Sequence, residues 1–225
     1  MRHPALHLLC LLAAISTTVH AQKPTSGFYG DHSLQLVTAP DGSFTASFYD
    51  ETGNGNFTCA FLLHGDGHPS AHGVYKVVTW WPYTDLDGTG PDEVVRGTIT
   101  ASPKGLTLQL PKSAHGGCMN VNRDLDEGGP IDLNRDNERD LDQNHTASPA
   151  PTTWQSLRVV KTSRVPLRPR PDPTLINRPY IVRGDVVIVT DTQGQWLHVL
   201  YYANIGGKTF TGWLEESDLL PVHIP

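Results

Sequence analysis

The sequence predicts an all-β protein, with an N-terminal antiparallel barrel or sandwich followed by a small C-terminal barrel. Two observations lead there. Apolar residues recur in short runs or alternate with polar ones, and no stretch carries a helical period. Clusters of Gly, Pro, Asn and Asp separate these runs at strand-length spacing.

Residues 1–21 read as an export signal. Arg2 and His3 precede an apolar run from Ala5 to Ile15, and Val19-His20-Ala21 offers a small-x-small cleavage pattern before Gln22. The run is too short to span a bilayer as a stable helix. Leu9 stands before Cys10, where a lipoprotein cleavage site wants a small residue. No other segment is apolar enough to cross a membrane, so the expected location is the periplasm or the extracellular space. Export leaves Cys59 and Cys118, which an oxidising compartment favours joining. Closing a loop of that size stabilises a fold by about 4 kcal/mol in the chain-entropy model.

The N-terminal domain is expected over 22–146. Candidate strands are 34–38, 43–49, 57–63, 73–79, 94–100 and 106–110, with turns at Pro40-Asp41-Gly42, Gly53-Asn54-Gly55-Asn56, Asp87-Gly88 and Pro103-Lys104-Gly105. This spacing suggests six to eight strands. Residues 122–146 are rich in Asp, Glu, Asn and Arg and lack aromatics, and they read as a polar excursion in which Ile131 and Leu133 form one short strand. Residues 147–156 begin with Ala147-Ser148-Pro149-Ala150-Pro151 and read as a stiff linker, and 157–225 form the second domain.

Charge is unevenly shared. Residues 22–150 carry 17 acidic and 8 basic side chains, a net of −9, whereas 151–225 carry 6 and 8, a net of +2. An acidic first half argues against nucleic acid and anionic membrane surfaces as partners. It suits a basic protein partner, or simply solubility.

In the second domain, Val165-Pro166-Leu167-Arg168, Arg183-Gly184-Asp185 before four β-branched residues, and Gly212-Trp213 followed by Ser217-Asp218-Leu219 cover nearly its whole length. In that order they resemble the bacterial SH3-like (SH3b) family. The resemblance implies a small five-stranded barrel that binds peptides or glycans and does no chemistry. The long Pro-rich loop 168–179 departs from the family pattern where its ligand groove would lie. Gly27-Phe28-Tyr29-Gly30 and Cys59-Ala60-Phe61 bear a looser likeness to small disulfide-linked β-barrels of exported bacterial proteins, and no site is placed on it.

Contact residues are sought among arginines and aromatics. Arg168, Arg170 and Arg178 on the Pro-stiffened loop suit a carboxylate-rich partner, although a solvated loop held extended by Pro is the favoured reading, because exposed charge usually means solvation. Trp80-Trp81-Pro82-Tyr83 ends a strand, and neighbours on a strand face opposite ways, so one indole is left for a partner or a sugar ring unless the loop folds back. Trp196, Val199 and Tyr201 are expected to share an inward face. Trp196 and Trp213 are assigned to the core, and Tyr202 to the surface.

Metal and cofactor sites find little support. His64, His68 and His72 would line a helix, but Gly65, Gly67, Pro69 and Gly73 forbid one. The acidic run Asp85 to Glu93 begins like a calcium loop and then places Arg96 where the bidentate Glu belongs, and Asp132 to Asp136 has Asn137 in place of the central Gly. No cofactor is expected. No nucleophile elbow surrounds Ser26 or Ser113, and no His–Asp pair can be argued, so no catalytic residue is named.

Three functions compete. The first is a non-catalytic envelope protein whose SH3-like module binds a protein or a peptidoglycan peptide. The second is an inhibitor or immunity protein that neutralises a wall-degrading hydrolase or toxin. The third is a wall-acting enzyme with a targeting module.

Overall fold

A computed structural model describes residues 22–53, 55–82, 86, 91, 93–136, 151–175, 179–203 and 207–222. The export signal, the linker residues 147–150, most of the run 85–92 and the acidic residues 137–146 lie outside them. The described chain is all-β, as expected.

Eight strands follow one another as an antiparallel meander: β1 (Gly27–Tyr29), β2 (Leu34–Thr38), β3 (Phe44–Thr52), β4 (Phe57–Pro69), β5 (Val74–Trp80), β6 (Val95–Ser102), β7 (Gly105–Gln109) and β8 (Ile131–Asn134). A bridge from Tyr29 to Arg135 draws the first and last strands together into a nearly closed barrel. Gly30 N–H donates to Asn134 O at 2.8 Å and Asp136 N–H to Phe28 O at 3.0 Å along the same seam. The two-residue period sends Leu34, Leu36, Phe44, Ala46, Phe48, Cys59, Phe61, Leu63, Tyr75 and Val77 inward. Their bulk fills the interior, as eight strands leave room for side chains and little else. Phe48 stacks on Phe61 with ring centroids 4.7 Å apart.

Strand β4 runs six residues past its expected end at Leu63. Its register with β5 shifts between Gly65 and Pro69. A Cβ on Gly65 would lie 2.3 Å from the Phe44 ring, so that ring occupies the space a side chain would need.

The polar stretch after β7 is only partly an excursion. Asn122 accepts a hydrogen bond from Leu125 N–H and caps a one-turn helix, α1 (Arg123–Asp126), whose Leu125 is buried in the barrel core. Strand β8 follows, with Ile131 and Leu133 buried and Asp132 exposed. The stretch from Cys118 through Leu125 therefore covers one end of the barrel. The Cys59–Cys118 disulfide ties it there.

His115 sits under this cover, 4 % exposed, stacked on Phe61 at 4.8 Å and hydrogen-bonded through Nε2 to Thr79 Oγ1 at 2.8 Å. Burial lowers its pKa to about 4. The unfolded chain then binds a proton near pH 6.5 that the folded chain refuses until about 4. Stability is full above that window and falls as pH drops through it, by up to about 3 kcal/mol. Urea midpoints at pH 7 and pH 4.5 are expected to show this loss, and His115→Gln to flatten most of it; an unchanged wild-type midpoint would contradict the assignment.

A second sheet has strand order β14-β13-β12-β9-β15, formed by β9 (Ser156–Val160), β12 (Val186–Gln193), β13 (Trp196–Ala203), β14 (Lys208–Glu215) and β15 (Leu219–Pro221). A two-stranded ribbon of β10 (Arg164–Pro166) and β11 (Tyr180–Val182) folds over it. Val165 and Ile181 of the ribbon, with Leu167 just beyond it, pack with Val187, Val199 and Leu214 of the sheet.

The two sheets share a third apolar cluster. Phe28, Val37, Leu62 and Trp80 point out of the barrel and meet Trp154, Leu157, Ile188, Leu200 and Val222. Trp154, inside the stretch read as linker, follows a 3-10 turn at Pro151–Thr153 and sets its ring edge-on to Phe28 at 5.0 Å.

Candidate functional site

The C-terminal sheet presents an aromatic and cationic face, built by strand parity. In the ribbon, Val165 and Ile181 point inward, so their flanking residues point out: Arg164 and Pro166 on one strand, Tyr180 and Val182 on the other. Tyr180 is 45 % exposed and Val182 41 %. The Arg164 guanidinium lies 3.4 Å from the Tyr180 ring centroid. Two residues beyond Pro166, Arg168 pairs with Trp213 of β14 through both backbone bonds, at 3.1 and 2.8 Å. Trp213 is directly opposite His198 and Trp196 opposite Glu215. One strip of surface thus runs from Val182 and Tyr180 across Arg168 to Trp213.

The strip is held from beneath and from the side. Arg168 is mostly buried, its guanidinium 5.0 Å from the Trp196 ring and 3.8 Å from the Glu215 carboxylate. Trp213 is half-buried and meets His198 edge-on at 5.1 Å. Thr190 Oγ1 is 2.8 Å from His198 Nδ1, and burial pushes the imidazole pKa down, against the opposing pull of Asp191. The lowered pKa favours the uncharged imidazole where its ring meets Trp213.

This geometry sorts the residues singled out in the sequence. Arg168 joins the face, but as the support beneath it and not as a free arm. Arg170 is exposed and pairs with Asp172 at 3.7 Å. Asp172 in turn accepts from Thr174, whose hydroxyl is the main cause of the lowered Asp172 pKa. Arg178 and Tyr83 lie outside the described residues. Trp80 is buried at 1 % exposure in the cluster between the sheets and is not available to a partner, because its strand position points at the second sheet. Trp81, on the opposite side, is half-exposed and lies edge-on to His115 at 6.4 Å.

Three aromatic assignments change. Trp196 is buried at 7 % exposure, as assigned, but it does not share the face of Val199, from which an odd spacing separates it; Leu197 and Val199 line one side while Arg168 covers Trp196 on the other. Trp213 is a half-exposed face residue and not core. Tyr202 makes an internal contact, stacked on His32 at 5.0 Å and tilted on Phe28 at 5.6 Å, because β13 carries it between the two sheets. Tyr180 and Val182 were missed. The signal was present: a three-residue strand with one buried residue at its centre must turn both ends out.

Among the described residues, no group of three or more His, Cys, Asp or Glu side chains is placed to hold a metal ion. His64 and Asp66 open onto a cleft of about 470 Å³ that they share with Lys76 and Arg96, whose charges oppose a cation. Asp132 lies on strand β8 and accepts from Thr107 Oγ1 at 2.7 Å, and Asp136 accepts from the Asp31 and His32 N–H groups at 3.0 and 2.6 Å. Both carboxylates serve their own chain, and the segment is a strand where a calcium site needs a loop.

Compared with protein-family models, with curated proteins and with solved structures, the chain matches none.

Proposed function

We propose that this is a non-catalytic, exported cell-envelope protein whose C-terminal SH3-like module recognises a protein or a cell-wall peptide. The observation that carries this reading is the strip from Tyr180 and Val182 to Trp213, which leaves large apolar side chains in contact with water. Aromatic rings backed by arginine are efficient contact groups, since they bury much area while losing little rotamer freedom. A strip of exposed aromatic and apolar side chains offers the contacts that an extended peptide needs. The mature protein is expected to sediment with purified sacculi at low salt. Tyr180→Ala and Trp213→Ala are expected to weaken that binding about tenfold each. A wild-type protein that stays in the supernatant would rule out the wall peptide.

A second reading is an inhibitor or immunity protein acting on a wall-degrading hydrolase or toxin outside the cytoplasm. The charge imbalance favours it, because the barrel half carries 17 acidic against 8 basic residues. That asymmetry would steer a basic partner toward the barrel.

A further inference from the structure

We infer that the disulfide-tied end of the barrel is a docking face for a basic protein, which seats an apolar side chain between Phe57 and Met119. This deepens the second reading above and is independent of the C-terminal strip.

Phe57 is 50 % exposed and Met119 61 %, although both are large and apolar. The disulfide holds against each other the two segments that carry them. Phe57 opens β4 two residues before Cys59, and Met119 directly follows Cys118, to which Cys59 is bonded. Between them the two segments touch: a Cβ on Gly117 would stand 2.3 Å from Thr58 O and 3.5 Å from the Trp81 ring. Gly117 therefore allows a close approach of the two segments, with the Trp81 ring beside it. Exposed apolar groups rimmed by polar ones mark protein contact surfaces.

The rim selects the partner. Asp50, directly opposite Cys59 across the β3–β4 ladder, lies on the same face of the sheet as Phe57. Asp124 and Glu127 of the covering segment are exposed. Arg123 and Glu127 pair at 2.8 Å and offset each other, which leaves Asp124 and Asp126 against Lys112 in the segment between β7 and β8. Around the corner, Asp31, Asp50, Asp132 and Asp136 line a cleft of about 270 Å³. A second copy of this chain would bring acid against acid. Nucleic acid and anionic membranes are repelled in the same way. A positively charged protein surface gains steering from the rim and burial from the patch.

A phage-displayed library of random peptides, selected on the intact disulfide-bonded protein, tests this directly. The expected pool is net positive, contains a large apolar residue, and is released by raising salt. It is expected to bind the F57S/M119S variant at least tenfold more weakly. Both positions are exposed, so the variant is expected to keep the wild-type thermal midpoint. D124K/E127K probes the rim with surface changes alone and is expected to lose the same pool. Equal retention on both variants, a neutral or acidic pool, or no enrichment would overturn the inference, as would self-association that F57S/M119S abolishes. Loss on Trp213→Ala with retention on F57S/M119S would overturn it while sparing the C-terminal strip; the reverse pattern supports it.

Discussion

Substituting Cys59 and Cys118 together by alanine lowers stability by about 4 kcal/mol, the expectation for releasing a loop this long in the unfolded chain. The bond spans a sequence separation of 59 residues. Its removal also frees the covering segment, whose Leu125 and Cys118 are in the barrel core and whose nearest regular element is a single helical turn. So short a helix has little stability of its own. Urea unfolding of the double variant, and of the wild type with and without reductant, measures the loss. A midpoint unmoved by reduction would mean that packing alone holds the segment. Because this bond holds together the segments that carry Phe57 and Met119, the proposed docking face is expected to fail with it, at urea concentrations where the barrel itself is still folded.

Trp154→Ala is the second large effect, with an expected cost of about 3–5 kcal/mol, the range for deleting a buried aromatic side chain. Trp154 is 5 % exposed and lies among Phe28, Leu62 and Trp80 of the barrel and Leu157, Ile188 and Leu200 of the second sheet. Its loss opens a cavity in the one cluster to which both sheets contribute. The wild type is expected to unfold in a single transition by tryptophan fluorescence and far-ultraviolet circular dichroism, and the variant in two. A variant that costs less than about 1 kcal/mol would show that the sheets are stable without this contact.

Much of the fold was legible locally. The strands at 34–38, 57–63 and 106–110 were placed by apolar period and turn chemistry, and the structure starts or ends its strands within a residue or two of most of these bounds. The disulfide followed from two cysteines in a chain that reads as exported. Less was legible where one strand serves two neighbours. Cys59-Ala60-Phe61-Leu62-Leu63 is apolar on both sides of the strand, and only the structure shows why: Phe61 and Leu63 fill the barrel while Leu62 meets the second sheet. The same ambiguity hid Trp80, whose outward position is apolar because another sheet covers it.

The candidate site was legible in part. Arg168 was singled out for its charge, yet its work is to lie over Trp196 and brace Trp213. Tyr202 was assigned to solvent on alternation with Tyr201, and alternation does send it to the other face of β13. That face is exposed only where the barrel stops, so His198 lies beside the half-exposed Trp213 while Leu200 and Tyr202 are covered.

What the chain determines by itself is therefore period and punctuation: which residues are strand, which side of a strand each side chain takes, and where turns fall. These depend on backbone sterics and nearest neighbours, which a linear reading contains. Only the tertiary structure decides which of two faces meets protein and which meets water, because that depends on segments far apart in sequence arriving at one place. Cys118 bonded to Cys59, and Trp80 in one cluster with Trp154, are set by that arrival, and so is every surface from which a partner would be recognised.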